Sequence, residues 1–360
     1  MSRLSIAFLS CLIAILPAWP SADACTTFLF ERGGKSVVGK SYDWDTGPGL
    51  AVVNKRGVAK QALLLNPLQK PAKWVSKYGS LTLNQYGREM PNGGMNEAGL
   101  VVEVMWLDSS AYPKAHDKPA LTELQFIQYL LDNFATAAEV AEHASEVKVA
   151  KAYASVHYLA CDRTGACVAL EFLDGALVVT ESARMPARVL TNNTYAESAA
   201  FLAKLRGFGG KQAVPMGSGS LERFARAASL VAAGSKSKGP LHNAAFAVLD
   251  SVSQGEMSQW NIVYDPNAMR IWFRTHKVPK VKSVELGKLD FACAVPAQIL
   301  DIDTDRAGDV THLFQDYSLA ANEKLITETL APLLGRIPAQ ATQVLARYPD
   351  MLRCTEATKY

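Results

Sequence analysis

The sequence lacks the features that mark several large classes of protein. Its 37 basic and 34 acidic residues are spread along the chain, give a net charge of +3, and form no block of like charge. Such a distribution offers no electrostatic footprint for a nucleic acid. No segment reaches the roughly 20 uninterrupted apolar residues that a membrane span requires. We therefore expect small-molecule partners, no nucleic acid and no membrane span.

Metal-ligand spacing is also absent. The six histidines occur in no His-x-x-x-His or Cys/His arrangement that indicates a metal site or a papain-like catalytic pair. We interpret them as surface residues or as core residues with satisfied hydrogen bonds. The sequence also shows no internal repeat.

The size and composition are those of a globular protein, with 360 residues of which 49% are apolar. Predicted strands and helices alternate in blocks rather than one for one, which indicates an α+β fold with largely antiparallel sheets. The predicted strands lie at 26–30, 36–40, 51–54, 61–65, 99–107, 154–160, 168–172, 176–180, 188–190, 260–264 and 270–274. The predicted helices lie at 122–134, where Thr122 and Gln125 form a capping box, and at 197–205, 221–233, 242–253, 319–334 and 338–347.

The first 24 residues have the pattern of an export signal. Arg3 supplies the positive region, residues 6–16 are apolar, and Ala22-Asp23-Ala24 is a small-x-small cleavage site. We predict a signal peptide over 1–24, a periplasmic or secreted protein, and a mature chain whose first residue is Cys25. The alternative is an uncleaved anchor helix.

Cysteine usage is consistent with an oxidising compartment. Once Cys11 leaves with the leader, five cysteines remain, and an odd thiol in an exported protein requires an explanation. Cys161 and Cys167 flank a turn-like stretch between two alternating runs, so a bridge across a hairpin is one interpretation. Cys293 and Cys354 would then pair by elimination. Four buried free thiols are the alternative.

A cysteine at the new N-terminus carries its own base. An α-amine titrates near pH 8 and a thiol near 8.5, so neutral amine and thiolate are both accessible around neutral pH. The amine of Cys25 would then deprotonate its own thiol, and no histidine is needed.

Four motifs strengthen this hypothesis. They are Cys-Thr at 25–26 followed by Gly-Lys-Ser-Tyr-Asp-Trp at 39–44, Gly-Met-Asn-Glu-Ala-Gly-Leu at 94–100, Leu-Thr-Asn at 190–192, and Ser-Leu-Glu-Arg-Phe at 220–224. In this order they resemble the penicillin V acylase and choloylglycine hydrolase family of N-terminal-nucleophile hydrolases. The resemblance covers essentially the whole mature chain. It implies one domain over 25–360 with a helical C-terminal tail, folded as a four-layer αββα sandwich of antiparallel sheets.

The resemblance also implies a role for each site residue. Cys25 would be the nucleophile, Asp43 would hold its amine, and Arg223 would favour the thiolate. The side chain of Asn192 and the backbone N–H of Trp106 would stabilise the oxyanion. From the residues alone, Asp43 could instead be a turn aspartate, Asn192 a helix cap and Arg223 a surface arginine. Asn96 and Glu97 we interpret as structural residues of the turn into the strand at 99–107.

Two departures from the family pattern bear on activity. Lys40 stands where most members carry arginine, so its catalytic role is left open. Trp106 provides an aromatic wall, which favours a flat or acyl-chain substrate over a polar steroid conjugate.

The predicted reaction is hydrolysis of a small N-acyl amide, such as a phenoxyacyl penicillin, an N-acyl homoserine lactone or an N-acyl amine. The resemblance implies no metal and no organic cofactor, and family members are often homotetramers. Conjugated bile acids are the alternative substrates. From other classes, the rivals are a lipid-anchored envelope binding protein acylated at Cys25, and an inactive protein with this fold.

Overall fold

The computed structural model describes residues 25–64, 66, 68–114, 117–234, 238–331 and 339–355. Its helices are α1 Glu123–Asn133, α2 Ala137–His143, α3 Tyr195–Leu202, α4 Ser220–Gly234, α5 Leu241–Ser251, α6 Leu319–Leu330 and α7 Ala339–Arg347. Its strands are β1 Thr26–Arg32, β2 Lys35–Asp43, β3 Leu50–Asn54, β4 Val58–Gln61, β5 Lys73–Val75, β6 Ser80–Asn84, β7 Pro91–Asn96, β8 Val101–Trp106, β9 Ala120–Leu121, β10 Lys148–Val149, β11 Val156–Cys161, β12 Cys167–Leu173, β13 Ala176–Glu181, β14 Val189–Leu190, β15 Ser258–Asp265, β16 Arg270–Thr275, β17 Lys282–Glu285, β18 Gln298–Asp301, β19 Gly308–Asp309, β20 Gln315–Asp316 and β21 Arg353–Cys354.

Two large sheets form the centre of the molecule. The seven-stranded sheet has the order β14-β1-β2-β15-β16-β17-β19, and the nine-stranded sheet has the order β13-β12-β11-β8-β7-β6-β3-β18-β20. Neighbouring strands are antiparallel in both, apart from the parallel pair β17 and β19. Two smaller sheets, β9 with β10 and β21-β4-β5, lie outside them.

The helices cover the outer faces of the two large sheets. Helices α4 and α5 pack on β1, β2 and β15, and helices α1 and α2 pack on β7, β8, β11 and β12. One apolar core joins the inner faces of both sheets and extends under α4 and α5. A second core lies between the nine-stranded sheet and α1 with α2. This is the predicted four-layer αββα arrangement.

The two glycines of its turn determine how the N-terminal hairpin of β1 and β2 forms. Gly33 and Gly34 both have positive φ, at 60° and 73°, which a two-residue turn between antiparallel strands requires and which glycine adopts without strain. The hairpin pairs Thr26 with Ser41 and Arg32 with Lys35. It thereby places Cys25, immediately before β1, beside the end of β2.

Two local predictions are wrong for one shared reason. The backbone N–H of Leu63 donates to Oε1 of Gln125 at 2.9 Å instead of to a neighbouring strand, and β4 ends at Gln61. At the start of α1, Thr122 makes no side-chain capping bond, and its hydroxyl instead donates to Oε1 of the same Gln125 at 3.4 Å. A tertiary contact here overrides a local motif.

The cysteine pairing follows the first of the two interpretations. Cys161 and Cys167 form a disulfide across the β11–β12 hairpin, and Cys293 pairs with Cys354. The second bridge ties the chain's end to the loop before β18, while β21 pairs with β4. Cys25 lies outside both disulfides. Across the described ranges, no helix is long and apolar enough to cross a bilayer.

Candidate active site

Cys25 lies at the junction between the seven-stranded sheet and helix α4. Its side chain is buried, and its Sγ donates to the backbone oxygen of Asp43 at 3.9 Å. Its own carbonyl oxygen accepts a hydrogen bond of 2.8 Å from Nη1 of Arg223. Cys25 is therefore held through its thiol by the end of β2 and through its carbonyl by a guanidinium.

Asp43 ends β2 with a fully buried carboxylate. Its Oδ1 accepts hydrogen bonds from the hydroxyls of Ser41, at 2.7 Å, and Ser258. Its Oδ2 makes no hydrogen bond within the part of the chain that the structure describes. Burial raises the pKa of this carboxyl to about 6, although both hydroxyls and the charge of Arg223 oppose the rise. Asp43 is therefore a buried acid with an unused acceptor, and the alternative of a turn aspartate is excluded.

Arg223 joins three segments of the site. It lies on α4 and is 1% exposed, which excludes a surface arginine. Nη1 donates to the carbonyl of Cys25 and, at 2.7 Å, to Oγ1 of Thr26, while Nη2 donates to Oδ1 of Asn192 at 2.7 Å. Nε donates to the backbone oxygen of Ser218 at 3.0 Å. These hydrogen bonds use three nitrogens of one planar guanidinium, and the single ammonium of a lysine could not make them all.

Asn192 follows β14 and is oriented from both ends of its side chain. Oδ1 accepts from Arg223, and Nδ2 donates to the backbone oxygen of Trp106 at 2.9 Å. An amide nitrogen carries two hydrogens, so one donor is left beyond the bond to Trp106. Helix α3 is capped by Thr194 with Glu197, so the alternative of Asn192 as the helix cap is wrong.

The loop that carries Asn192 is anchored by a buried histidine. Nε2 of His157 contacts the backbone oxygen of Thr191 at 2.7 Å, and Nδ1 contacts Oε1 of Glu171 at 3.1 Å. The same Glu171 oxygen accepts from the backbone N–H of Tyr195 at 2.9 Å. His157 is thus a satisfied core residue that positions its neighbours.

The backbone N–H of Trp106 points away from β11. The N–H of Leu107 donates to the oxygen of Ser155 at 2.9 Å, so these two residues are a hydrogen-bonded pair of the antiparallel ladder. Bonded and non-bonded pairs alternate along such a ladder. The next pair, Trp106 with Val156, is therefore non-bonded. The N–H and C=O of Trp106 therefore face the opposite edge of β8. The C=O there accepts from Asn192, so the N–H lies on the side of the site.

The structure brings together Cys25, Asp43, Asn192, Arg223 and the backbone of Trp106, and it places the Lys40 side chain against β8. The Lys40 side chain is fully buried between the two sheets and donates to the backbone oxygen of Val104. Its charge also opposes the rise in the pKa of Asp43, so Lys40 contacts β8 while staying within electrostatic reach of the site.

Comparisons with known proteins identify the family of the chain. A sequence model of the choloylglycine hydrolase family, described as linear amide C–N hydrolases, matches residues 25–236. The chain belongs to this family. It is therefore a hydrolase acting on carbon–nitrogen bonds in linear amides.

Individual relatives point the same way. The penicillin V acylase of Pectobacterium atrosepticum is 27% identical over 320 residues, which cover 75% of this chain and 82% of that protein. The structure of penicillin V acylase from Agrobacterium tumefaciens matches with a TM-score of 0.72 at 27% identity, over 82% of this chain and 98% of the other. A variant of conjugated bile acid hydrolase from Clostridium perfringens matches with a TM-score of 0.65 over 80% of this chain and 100% of the other, and at 18% identity it shows the fold alone.

An aromatic surface adjoins the choloylglycine hydrolase site. The ring centroids of Trp44 and Trp106 are 5.9 Å apart, and both side chains are partly exposed. Tyr42 stacks on Trp260 at 4.4 Å behind them. Trp106 thus contributes a ring to this surface and a backbone carbonyl that accepts from Asn192.

Sequence reasoning missed the hydroxyls that complete the site. Ser41 and Ser258 bond Asp43, and Ser220 accepts from the backbone N–H of Asn192 at 2.9 Å. Ser41 and Ser220 lie inside motifs already identified, so their position was a usable signal. Ser258 had none, because only the pairing of β15 with β2 brings it to Asp43.

The turn at 96–99 is structural, as predicted. Oδ1 of Asn96 accepts from the N–H groups of Ala98 and Leu100, and its Nδ2 donates to carbonyls at the end of α1. Oε1 of Glu97 accepts from the N–H of Gly79.

No group of three or more histidine, cysteine or acidic side chains with metal-site geometry occurs among the residues that the structure describes.

Proposed function

We propose that the mature protein begins at Cys25 and uses this residue as an N-terminal nucleophile to hydrolyse N-acyl amides with an aromatic or extended acyl group. The observation that carries the proposal is the polar network around Cys25. Its carbonyl is held by Arg223, its thiol lies against the end of β2, and the buried Asp43 nearby keeps one acceptor unused.

Each step of the reaction uses one part of this network. The α-amine of Cys25, oriented by Asp43, takes the thiol proton, and the thiolate attacks the amide carbon. Asn192 Nδ2 and the Trp106 N–H stabilise the oxyanion of the tetrahedral intermediate. The ammonium then gives its proton to the leaving amine, which departs and leaves a thioester. Water, deprotonated by the same amine, cleaves the thioester and releases the carboxylic acid.

The substrate preference follows from the aromatic surface. The partly exposed rings of Trp44 and Trp106 lie next to Asn192 and the Trp106 backbone, which are the proposed oxyanion donors. Aromatic rings favour flat or apolar acyl groups over polar steroids. Two penicillin V acylases at 27% identity support the same class. Phenoxyacyl penicillins, N-acyl homoserine lactones and other N-acyl amines are thus the proposed substrates.

Export is part of the proposal. The signal pattern at 1–24 would deliver the protein to the periplasm or beyond, and cleavage after Ala24 would expose Cys25. The two disulfides support an oxidising compartment.

A panel assay tests the proposal. Purified mature protein is given penicillin V, an N-acyl homoserine lactone, an N-acyl amino acid and a glycine-conjugated bile acid, and amine release is followed. We expect turnover of the first two and little of the last, with none by Cys25→Ala. Preference for the bile acid conjugate would refute the substrate class.

Intact-mass analysis of the active material tests the processing step. We expect a chain that starts at an unmodified Cys25. A different first residue, or an acyl mass on Cys25, would refute the amine as the base and favour the lipid-anchored protein.

A further inference from the structure

Three buried polar side chains connect the two large sheets. Lys40 on β2, Glu103 on β8 and Tyr264 on β15 are each no more than 1% exposed. Lys40 Nζ lies 3.8 Å from Oε2 of Glu103, and the Tyr264 hydroxyl donates to Oε1 of the same carboxylate. We name these three residues the inter-sheet cluster.

The fold makes room for this cluster at one glycine. A Cβ atom added to Gly93 on β7 would lie 2.3 Å from Oε1 of Glu103. The carboxylate therefore occupies space that any other residue at position 93 would fill.

Lys40 supplies a hydrogen bond that the sheet itself does not. Pairing between β7 and β8 stops at Gly93 and Glu103, so the edge of β8 beyond Glu103 has no strand beside it there. The carbonyl of Val104 faces this open edge, because Val104 is in register with Tyr158 as a non-bonded pair. Lys40 Nζ donates to that carbonyl. The N–H of Trp106 lies on the same edge, two residues further along.

The strands that carry the cluster also carry the site. Asp43 follows Lys40 by three residues on β2, and Trp106 follows Glu103 by three residues on β8. Ser258, which bonds Asp43, lies at the start of the strand that carries Tyr264. We propose that Lys40, Glu103 and Tyr264 are positioning residues, which set the place of the Trp106 N–H on β8 relative to Asp43 on β2. The inference rests on the oxyanion role proposed for Trp106.

Net stability does not account for the cluster. Replacing a buried ion pair by neutral residues of similar size is often neutral or stabilising, because desolvation offsets the attraction. Burial raises the pKa of Glu103 to about 7, and the charge of Lys40 opposes that rise. What the pair adds is a fixed geometry between two strands of different sheets.

The test is the double variant Lys40→Met with Glu103→Gln in the mature protein. It removes both charges and the donor to Val104 while leaving an acceptor for Tyr264. We expect the melting temperature to stay near that of the parent while kcat falls on the order of 10- to 100-fold and KM changes little, because a displaced oxyanion donor acts on the transition state. Tyr264→Phe, which keeps the ion pair, should give a smaller loss in kcat.

The matched control is Glu89→Gln. Glu89 is 1% exposed and binds the buried Lys60 at 2.6 Å, in an ion pair that contacts none of the three cluster residues. We expect this variant to lose stability with no change in the kcat of the folded enzyme. Unchanged kcat in the double variant, or equal losses in the double variant and the control, would overturn the inference.

A spectroscopic readout separates this inference from the proposed function. In protein labelled with ¹⁵N-tryptophan, the backbone amide signal of Trp106, assigned with Trp106→Phe, should shift in the double variant. The indole signal of Trp74, which bonds Asp132 beside Lys60, should shift in Glu89→Gln instead. An unmoved Trp106 signal refutes the positioning role whether or not any amide is hydrolysed, whereas an inactive parent protein refutes only the proposed function.

Discussion

Cleavage ahead of Cys25 should change both the proton affinity of Asp43 and the stability of the protein. While Cys25 lies inside the chain, its nitrogen is a peptide N–H, and burial raises the pKa of Asp43 from 3.8 to about 6. That rise is about two pKa units at 1.36 kcal/mol each, or roughly 3 kcal/mol. Asp43 is fully buried, so solvent screening does not reduce this figure.

The direction of the change in stability with pH follows from the protonation state of Asp43 that the folded protein favours. A carboxyl whose pKa is raised by folding contributes stability below its unfolded pKa and loses it as the pH rises through the folded value. The unprocessed protein should therefore lose up to about 3 kcal/mol of unfolding free energy between pH 4 and pH 7 at this residue. An α-amine that donates to Asp43 Oδ2 would lower the pKa, so the mature protein should lose less.

The assay is urea unfolding from pH 4 to pH 8, followed by tryptophan fluorescence. It compares the mature form with one that begins at Ala22, in which Cys25 is internal. The free-energy difference between the two should widen as the pH rises, in favour of the mature form. Asp43→Asn in both forms isolates the contribution of this carboxyl and should abolish the widening. Parallel pH curves for the two forms with Asp43 present would refute the coupling between amine and carboxylate.

Further variants test the remaining parts of the site and the fold. Cys25→Ala should abolish amine release while circular dichroism shows an intact fold. Asn192→Ala should lower kcat by about 100- to 1000-fold in steady-state assays, because one oxyanion donor is lost; a loss confined to KM would contradict that role. Arg223→Lys should cost about tenfold or more in kcat despite its charge, because hydrogen bonds to Thr26 and Asn192 are lost. Replacing Cys293 and Cys354 by alanine opens a loop of 61 residues and should lower the unfolding free energy in urea by about 4 kcal/mol.

Local signals predict the elements whose own residues decide their conformation. Paired glycines define the first hairpin, and periodic apolar residues define α4 and α5, as the structure confirms. Helix α2 is missed although Thr136 and Glu139 form a capping box at its start, so its signal was present in the chain. The short strands β17 to β21 have no such signal, because they exist only where other segments pair with them.

The residues of the site also fall into those that a local motif predicts and those that only the fold reveals. Motifs locate Cys25, Asp43, Asn192 and Arg223, and the structure brings their side chains to one place. Contacts that join distant segments are not visible in a motif. Ser258 lies 215 positions from Asp43 along the chain and reaches it only through strand pairing.

Lys40 shows what strand geometry adds to a motif. Side chains on a strand alternate between its two faces, so residues three apart point to opposite sides. Lys40 and Asp43 are three apart on β2, as are Glu103 and Trp106 on β8. Asp43 accordingly meets Ser41 on the side of helix α4, while Lys40 meets Glu103 between the sheets. A lysine within one of the shared motifs therefore contacts, in this fold, the strand that carries Trp106.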